Sequence, residues 1–346
     1  MRIRILKFGG TCLGRVEDRV AAAARVREAR DGGLVPVVVV SAPGRRGAPY
    51  ATDTLIELGL STCGDLPPRE TALLLSTGET VAAVLMTATL IDHGVAAQAI
   101  VGQAAGIQTA NGYVGAEVAS VEPVRVVRLL GREIVPVVTG FQGTGPEGDV
   151  AVLDRGGSDV TAAALGHALA ADAVDIFRDI PGMMTADPRV VPEARLIERL
   201  GYREAGLLAR HGPKVVHPGA LLWARRGRMT VHLRPLSGAD AGTTVAGYSH
   251  QEGEGPLSIV WRQVDSGAAR VAIIHAGRDG NPRQQEVIRT ILSTDCIPAH
   301  VVQRTAGAVI AVVPLEDAEQ AVRTLHAQLF ETHETGNIRP VMEAAQ

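Results

Sequence analysis

The chain has 346 residues, of which 46% are apolar and 21% charged, and its formal net charge is −3. This composition is typical of a globular protein and excludes the disordered and fibrous classes. Because basic residues are not in excess, a nucleic-acid partner is not expected. The length favours two domains.

The three cysteines, Cys12, Cys63 and Cys296, lie far apart and form no CxxC pair. This spacing indicates neither a disulfide framework nor a zinc site, and it fits a reducing compartment. The N-terminal residues lack the pattern of a signal peptide, and no uninterrupted apolar run reaches the roughly 20 residues that a membrane span needs. We therefore expect a cytoplasmic protein.

In the first two thirds of the chain, short apolar runs alternate with longer helical stretches, which predicts parallel βαβ units. The predicted strands are residues 3–6, 35–40, 134–138, 150–153 and 174–177. The predicted helices are residues 16–30, 69–93 and 160–171, the second of them interrupted at 76–79. Ligands of open parallel sheets bind beyond the carboxyl ends of the strands, where nearly every polar or glycine cluster of this chain falls.

Residues 238–255 are rich in Gly, Ser and Ala without periodicity, which indicates a domain junction. We expect a first domain over 1–245, a junction over 246–267 and a small α+β domain over 268–342. In the latter, the predicted strands are 270–276, 299–303 and 308–314, the predicted helices are 282–293 and 317–330, and a last strand falls near 338–342.

Only two of the 34 basic residues are lysines, Lys7 and Lys214. Lysine carries a compact ammonium on a slim stem, whereas the guanidinium of arginine is a wide planar fork. The two lysines therefore mark positions where arginine does not serve. Both lie beside glycines, and a point charge beside a glycine turn suits the transfer of a phosphoryl group.

Lys7 follows the first predicted strand and precedes Gly9 and Gly10. Glycines at this place let backbone N–H groups approach phosphate oxygens closely. The segment matches neither the GxxxxGK[ST] loop nor the GxGxxG fingerprint. A tight strand-to-helix turn without a ligand is the alternative.

The segment RGGSD at 155–159 precedes a predicted helix. Ser158 is a candidate helix cap, and Arg155 can clamp a carboxylate through two hydrogen bonds. Asp159 has two interpretations. Its negative charge in the first helical turn either interacts favourably with the helix dipole or keeps the two lysines protonated and in position as donors.

The segment STGE at 76–79 has two interpretations. Ser76 and Glu79 have the spacing of a capping box, and Glu79 is alternatively a ligand for a substrate ammonium. The histidines show no metal-binding spacing, so any Mg²⁺ is expected to be carried by a nucleotide rather than by a protein site.

Taken in order, these clusters resemble the aspartate kinases of the amino acid kinase family, from Lys7 to about Thr244. The ordered motifs are KFGGT at 7–11, VVSA at 39–42, TD at 52–53, LSTGE at 75–79, GFQG at 140–143, RGGSD at 155–159, TADPR at 185–189 and KVVHP at 214–218. The resemblance implies an α/β amino acid kinase fold, with a mainly parallel open sheet between helices and a C-terminal ACT-like α+β domain. It also implies transfer of the γ-phosphoryl group of MgATP to the β-carboxylate of L-aspartate, which gives 4-phospho-L-aspartate at the entry to lysine, threonine and methionine biosynthesis.

The resemblance also implies roles for individual residues. It makes Lys7, Asp159 and Lys214 catalytic, with Asp159 organising the two lysines. The implied substrate-binding residues are Ser41, Thr52, Glu79, Arg155, Gly156 and Ser158. The implied nucleotide-binding residues are Lys7, Gly9, Gly10, Arg178, Asp179, Met184, Ala186, Arg189, Lys214 and Val215. Because a carboxylate is already a nucleophile, positioning and charge neutralisation are expected to dominate.

The chain departs from the family pattern at Cys12, Asp154, Arg178 and Gly219. Asp154 stands where the family has glycine, and Arg178 where it has threonine or serine. We hypothesise that these two residues compensate each other as an ion pair. The tail resembles one ACT-like unit where such kinases usually carry two, and a lone unit could pair with its copy in a homodimer.

Two other functions stay open on the sequence. One is a kinase of another acidic amino acid or carboxylate on the same fold. The other is a catalytically impaired, ligand-sensing homologue.

Overall fold

The computed structural model describes residues 2–212, 215–238, 242–248, 255–275, 284–330 and 338–340. Its strands are β1 (Ile3–Phe8), β2 (Val35–Val40), β3 (Ala97–Ile100), β4 (Ile107–Ala110), β5 (Val114–Val121), β6 (Val135–Thr139), β7 (Gln142–Thr144), β8 (Val150–Leu153), β9 (Ala173–Arg178), β10 (Arg195–Ile197), β11 (Arg199–Gly201), β12 (Thr230–Pro235), β13 (Thr243–Ala246), β14 (Pro256–Gln263), β15 (Ala268–His275), β16 (Val301–Thr305), β17 (Ala308–Pro314) and β18 (Ile338–Pro340).

The helices are α1 (Val16–Asp31), α2 (Thr52–Thr62), α3 (Pro68–Asp92), α4 (Val124–Leu130), α5 (Gly157–Ala168), α6 (Tyr202–His211), α7 (Pro218–Gly227), α8 (Gln284–Thr294) and α9 (Ala318–Phe330). The chain divides into two compact units. Met1–Ile180 and Gly219–Ser237 form the first, and Pro181–Pro218 and Gly238–Gln346 form the second.

Six parallel strands form the large sheet of the first unit, in the order β12-β9-β1-β2-β6-β3. β1 lies between β2 and β9, with Lys7 in register with Val39 and Ile176. The strands are almost continuously apolar because helices cover both faces of such a sheet. The predicted α/β class and mainly parallel sheet are confirmed. β4, β5, β8 and β7 close into a small barrel that the sequence did not predict.

Among the described residues, α3 alone is long and apolar enough to cross a membrane by length and composition. It packs against α1, α2, β3, β6 and β8 of the same unit. Leu75, Met86 and Leu90 are among its buried residues. These contacts are those of a core helix.

α3 is also continuous through residues 76–79, so the predicted interruption is wrong.

The second unit contains an antiparallel sheet in the order β14-β15-β17-β16. α8 packs against α9, and α9 packs against β14, β15 and β17. Ile259, Ile273, Leu292 and Leu325 lie in its buried core. This arrangement fits the ACT-like unit that the resemblance implies.

The compact units differ from the predicted domain boundaries. β14 lies inside the expected junction 246–267, where Ile259 pairs with Ile273 of β15. The surrounding glycines hid this strand, although its residues 257–260 are all buried. In addition, Ala186 and Val191, from the expected first domain, belong to the core of the second unit. The predicted last strand forms at Ile338–Pro340 and pairs with β10, and residues 341 and 342 lie outside the described residues.

Replacing Ile259 by alanine should lower the free energy of unfolding by about 2–5 kcal/mol, because a fully buried side chain leaves a cavity. Denaturant unfolding followed by circular dichroism measures the loss. The control is Val264→Ala, which truncates an exposed side chain next to the same strand and should change stability by no more than about 0.5 kcal/mol. Equal losses in both variants would contradict the place of β14 in this core.

Candidate active site

Three neighbouring strands of the first unit, β1, β2 and β9, end at the same edge of the sheet because they run parallel. Their carboxyl ends carry Gly9 and Gly10, Ser41 and Ala42, and Arg178 and Asp179. The Gly9 N–H donates to the Phe177 carbonyl at 3.1 Å, which joins the ends of β1 and β9. Polar groups from three separate motifs therefore lie at one edge, as the strand pattern predicts.

Gly10 allows the turn after β1 to lie against the loop after β2. A Cβ atom at Gly10 would lie 2.4 Å from the Ala42 carbonyl oxygen and 2.9 Å from that of Gly44. The Gly44 N–H donates to the Gly10 carbonyl at 2.8 Å. A short 3-10 turn, Gly10–Cys12, continues the segment. The glycine is thus required by close backbone approach, which also suits the approach of an anion.

Lys7 and Asp159 form a buried ion pair, with 2.8 Å between Nζ and Oδ1. Asp159 lies in the first turn of α5, which begins after Gly156 in the left-handed conformation, with φ of 91°. Burial lowers the pKa of Lys7, and the neighbouring Asp159 opposes that shift. The structure therefore brings together two residues that the sequence placed 152 positions apart.

Arg178, at the end of β9, contacts the other oxygen of the same carboxylate. Its Nη2 lies 2.5 Å from Oδ2 of Asp159. The hypothesis that Arg178 pairs with Asp154 is therefore wrong. Asp154 is exposed beyond the end of β8 and lies beside Gly115, whereas Arg178 contacts Asp159 in the first turn of α5.

Glu79 lies inside the continuous helix α3 and is buried. Its Oε1 accepts a hydrogen bond from the Ala42 N–H at 2.9 Å. Gly78 makes this contact possible, since a Cβ there would lie 2.6 Å from the Tyr50 carbonyl oxygen. Ser76 lies in mid-helix and donates to the Leu73 carbonyl, so the capping-box interpretation is wrong and the ligand interpretation of Glu79 stands.

The second carboxyl oxygen of Glu79, Oε2, is buried and has no hydrogen-bond partner among the described residues. Burial raises the pKa of Glu79 to about 8, against the opposing effects of the Ala42 N–H and of Lys7. A buried carboxyl group with a vacant acceptor needs a cationic or hydrogen-bonding partner. Glu79 is therefore a candidate site for an ammonium group.

Arg155 is mostly exposed and forms an ion pair with Asp53. Asp53 follows Thr52 at the start of α2, so the TD motif lies beside the RGGSD motif. The sequence assigned only Thr52 of this pair to the site. Asp53 was missed because its partner Arg155 lies 102 positions away, so the pair is a tertiary contact that no local pattern signals.

Ser158 is buried in the first turn of α5 and packs against Gly140, where a Cβ would lie 2.5 Å from the Ser158 Cβ. The residue that caps α5 is Gly156, and no side chain caps the helix. The prediction that Ser158 caps α5 is therefore wrong.

Ser41 and Thr52 are both half-buried. Ser41 lies on the loop after β2, and Thr52 lies in the first turn of α2.

The other predicted nucleotide-binding residues are divided between the two units. Asp179, in the first unit, pairs with Arg45. In the second unit, Ala186 is buried in the core, Arg189 pairs with Asp187, and Met184 and Val215 are half-buried. Lys214 lies outside the described residues, so its predicted place beside Asp159 stays a prediction.

A polar cavity of about 410 Å³ opens at the carboxyl edge of the first unit's sheet. It is lined by Thr11, Cys12, Gly14, Arg15, Asp18, Gly44, Arg45, Arg178, Asp179, Pro235, Leu236 and Ser237. Within the described residues, no group of three or more His, Cys, Asp or Glu side chains is arranged to hold a metal ion. Of the lining arginines, Arg15 pairs with Asp18 and Arg45 with Asp179, whereas Arg178 shares Asp159 with Lys7. The positive charge at this edge therefore comes from Lys7 and Arg178, and it suits anion binding.

Comparison with known proteins matches residues 2–235 to the amino acid kinase family. The chain is 41% identical to aspartokinase 1 of Bacillus subtilis over 271 residues, which cover 78% of this chain and 66% of that protein. It is 37% identical to an aspartokinase of Thermus thermophilus over 245 residues, which cover 71% of this chain and 59% of that protein. The chain thus spans less than two thirds of the length of these relatives.

Solved structures agree with this fold. The aspartate kinase from Synechocystis has a TM-score of 0.63 at 26% identity, over 94% of this chain and 69% of that one. Aspartokinase III of E. coli, solved with lysine and aspartate, has a TM-score of 0.71 at 22% identity, over 95% and 99%. With its family match over residues 2–235, the chain belongs to the amino acid kinase family.

Proposed function

We propose that this protein is an ATP-dependent aspartate kinase of the cytoplasm, which transfers the γ-phosphoryl group of MgATP to the β-carboxylate of L-aspartate. The observation that carries the proposal is the buried Lys7–Asp159 pair beside the Gly10 turn, together with the Glu79 carboxyl group of α3, which accepts a hydrogen bond from the loop after β2. The names of the relatives support the same substrate pair. The product, 4-phospho-L-aspartate, is the entry compound of lysine, threonine and methionine biosynthesis.

Lys7 supplies the positive charge at the transferring group, and Asp159 holds its ammonium in place from behind. In this proposal the Gly10 N–H faces the phosphate chain, and Gly9 lets the backbone approach it closely while its own N–H donates to the Phe177 carbonyl. Lys214 is proposed from the family motif as the second lysine of this centre. Asp179, Met184, Ala186, Arg189 and Val215 are proposed, on the same basis, to hold the nucleotide.

The amino acid acceptor is oriented by charges at both ends. Oε2 of Glu79 accepts a hydrogen bond from the α-ammonium of the substrate, and the Arg155 guanidinium donates hydrogen bonds to a substrate carboxylate. Arg155 has an exposed partner in Asp53, and such pairs contribute only about 0–1 kcal/mol, so exchanging Asp53 for substrate costs little. Ser41, Thr52, Gly156 and Ser158 border the acceptor carboxylate in this arrangement.

In the transfer step, an oxygen of the acceptor β-carboxylate forms a bond to the γ-phosphorus as the bond to the β–γ bridging oxygen breaks. The electron pair of that bond leaves with ADP, and no proton is transferred. A general base is not required, so the protein acts by positioning and by neutralising charge. We propose a homodimer through the C-terminal sheet unit, since its edge strands β14 and β16 can pair with another chain.

With L-aspartate and MgATP, the purified protein should form an acyl phosphate that hydroxylamine traps as the hydroxamate. A panel of acidic amino acids and simple dicarboxylates separates aspartate from other acceptors, because only a substrate with an α-ammonium can use Glu79. Turnover with another acceptor but not with aspartate would reassign the substrate. Nucleotide binding without any turnover would favour the ligand-sensing alternative.

Replacing Lys7 by arginine should reduce kcat by about 100-fold or more, because the charge remains but the planar guanidinium does not fit the buried position on Asp159. Steady-state kinetics with aspartate and MgATP measure the loss. Arg2→Lys, an exposed basic position paired with Asp172 near the other end of the strand, is the matched control and should keep its activity. Near-normal turnover by Lys7→Arg would remove Lys7 from the transfer centre.

Replacing Glu79 by glutamine should raise the KM for aspartate by about 10-fold or more while the KM for MgATP changes little, because the ammonium loses a charged partner. Glu70→Gln, on the exposed first turn of the same helix, is the control. Equal effects on both KM values would give Glu79 a different role.

The raised pKa of Glu79, about 8, also predicts a pH dependence. In the folded protein Glu79 keeps its proton until the pH approaches 8, whereas in the unfolded chain it loses the proton above its ordinary pKa of 4.5. The contribution of this group to the free energy of unfolding is therefore fully present below pH 4.5 and is lost as the pH rises towards 8. Affinity for aspartate should rise over pH 7–8.5 as Glu79 ionises. Both trends should disappear in Glu79→Gln and persist in Glu70→Gln, and calorimetric titration and denaturant unfolding across this range measure them.

A further inference from the structure

A second cavity of the first unit, of about 440 Å³, is formed by the edge strand β3, the helix α4 and the segments beside them. It shares no lining residue with the cavity at the carboxyl edge of the sheet. It is lined by Gln98, Ala104, Glu122, Val124, Arg125, Arg128, Leu129 and Arg132. Three arginines and one glutamate leave two positive charges in excess around this cavity.

The three arginines follow one another along α4 and the turn after it. Arg125 and Arg128 are three residues apart, and Arg132 follows four residues later. The turn continues the helix, since the Arg132 N–H donates to the Leu129 carbonyl at 2.9 Å. Residues at these spacings lie on the same side of a helix, where like charges repel each other and destabilise it. The arrangement therefore favours an anion between the guanidinium groups.

None of these arginines forms an ion pair with a residue that the structure describes, and neither does Glu122 in the same lining. α4 contains no acidic residue that could serve as a local partner. Other exposed arginines of this unit do have carboxylate partners, as in the pairs Arg15–Asp18, Arg46–Glu57 and Arg69–Asp149. The positive charge at α4 is thus left uncompensated by the described part of the chain.

The lining indicates which kind of ligand the cavity suits. A guanidinium donates two parallel hydrogen bonds to a phosphate or a carboxylate, and three such groups suit an anion that carries more than one of them. The Gln98 side chain adds an amide donor and acceptor, and Val124 and Leu129 add apolar surface. The volume lies within the range of about 300–1,000 Å³ that is usual for small-molecule sites.

We propose that this cavity is a binding site for a small organic anion with two or more phosphoryl or carboxyl groups, held by the guanidinium groups of Arg125, Arg128 and Arg132. The site is separate from the proposed phosphotransfer centre. The inference therefore does not depend on the proposed function, and its test needs no turnover.

The test compares the wild type with the double variant Arg125→Gln/Arg128→Gln. Isothermal titration calorimetry without magnesium measures binding of fructose 1,6-bisphosphate, citrate and uncharged fructose. The wild type should bind at least one of the two anions and should not bind fructose. The double variant should bind that anion about 10-fold to 100-fold more weakly, because it loses charge-assisted hydrogen bonds. Arg125→Lys/Arg128→Lys keeps the charge but loses the forks, and it should fall in between.

The matched control is Arg27→Gln/Arg30→Gln. Arg27 and Arg30 are exposed on α1 of the same unit, have the same three-residue spacing and do not line this cavity. The control removes the same net charge from the protein, so it should keep the wild-type affinity if binding depends on the cavity rather than on overall charge.

Tighter binding of the bisphosphate than of citrate would assign a phosphoryl ligand to the site, and the reverse order a carboxyl ligand; both results support the inference. A wild type that binds neither anion at millimolar concentration would overturn it, and so would equal losses in the Arg125/Arg128 and Arg27/Arg30 double variants. If the first double variant does not fold, the single variants Arg125→Gln and Arg128→Gln take its place, and unchanged affinity in both overturns the inference.

Discussion

The buried ion pair between Lys7 and Asp159 is the interaction on which the site depends. Taking two charges out of water costs free energy, and breaking such a pair leaves a buried charge that costs about 3–5 kcal/mol. Hydrophobic residues in the same space would serve stability as well or better. The pair is thus better explained by chemistry than by stability, because it fixes an ammonium beside the turn where backbone N–H groups are open.

Close backbone approach makes this arrangement possible. Gly10 lets the turn after β1 lie against the loop at Ala42, and Gly78 lets α3 lie against the same loop from the other side. Asp159 and Glu79 lie in the same unit but have different surroundings. Asp159 contacts two cations, whereas Glu79 accepts one backbone N–H and burial raises its pKa. Carboxyl groups separated in this way can serve different parts of one reaction.

Sequence reasoning placed several motifs correctly in the fold and chose several side-chain partners wrongly. The motifs around Lys7, Glu79 and Asp159 do lie in one unit, since strand periodicity and glycine position are local properties of the chain. The interruption of α3, the cap at Ser158 and the Arg178–Asp154 pair were wrong. The first two concerned how helices begin, whereas Ser76 donates to a carbonyl within α3 and Gly156 caps α5. The third depends on which strands are neighbours in the sheet.

The amino-acid sequence by itself determined the α/β class, the core strands β1, β2, β6 and β9 and the glycine-rich ends that carry the polar groups, because hydrophobic periodicity and turn chemistry are encoded within short segments. Only the tertiary structure decided that Arg178 shares Asp159 with Lys7, that Arg155 pairs with Asp53 and that β14 joins the C-terminal sheet. Those contacts join residues distant in the chain, and they are set by strand order, burial and charge compensation in the folded protein.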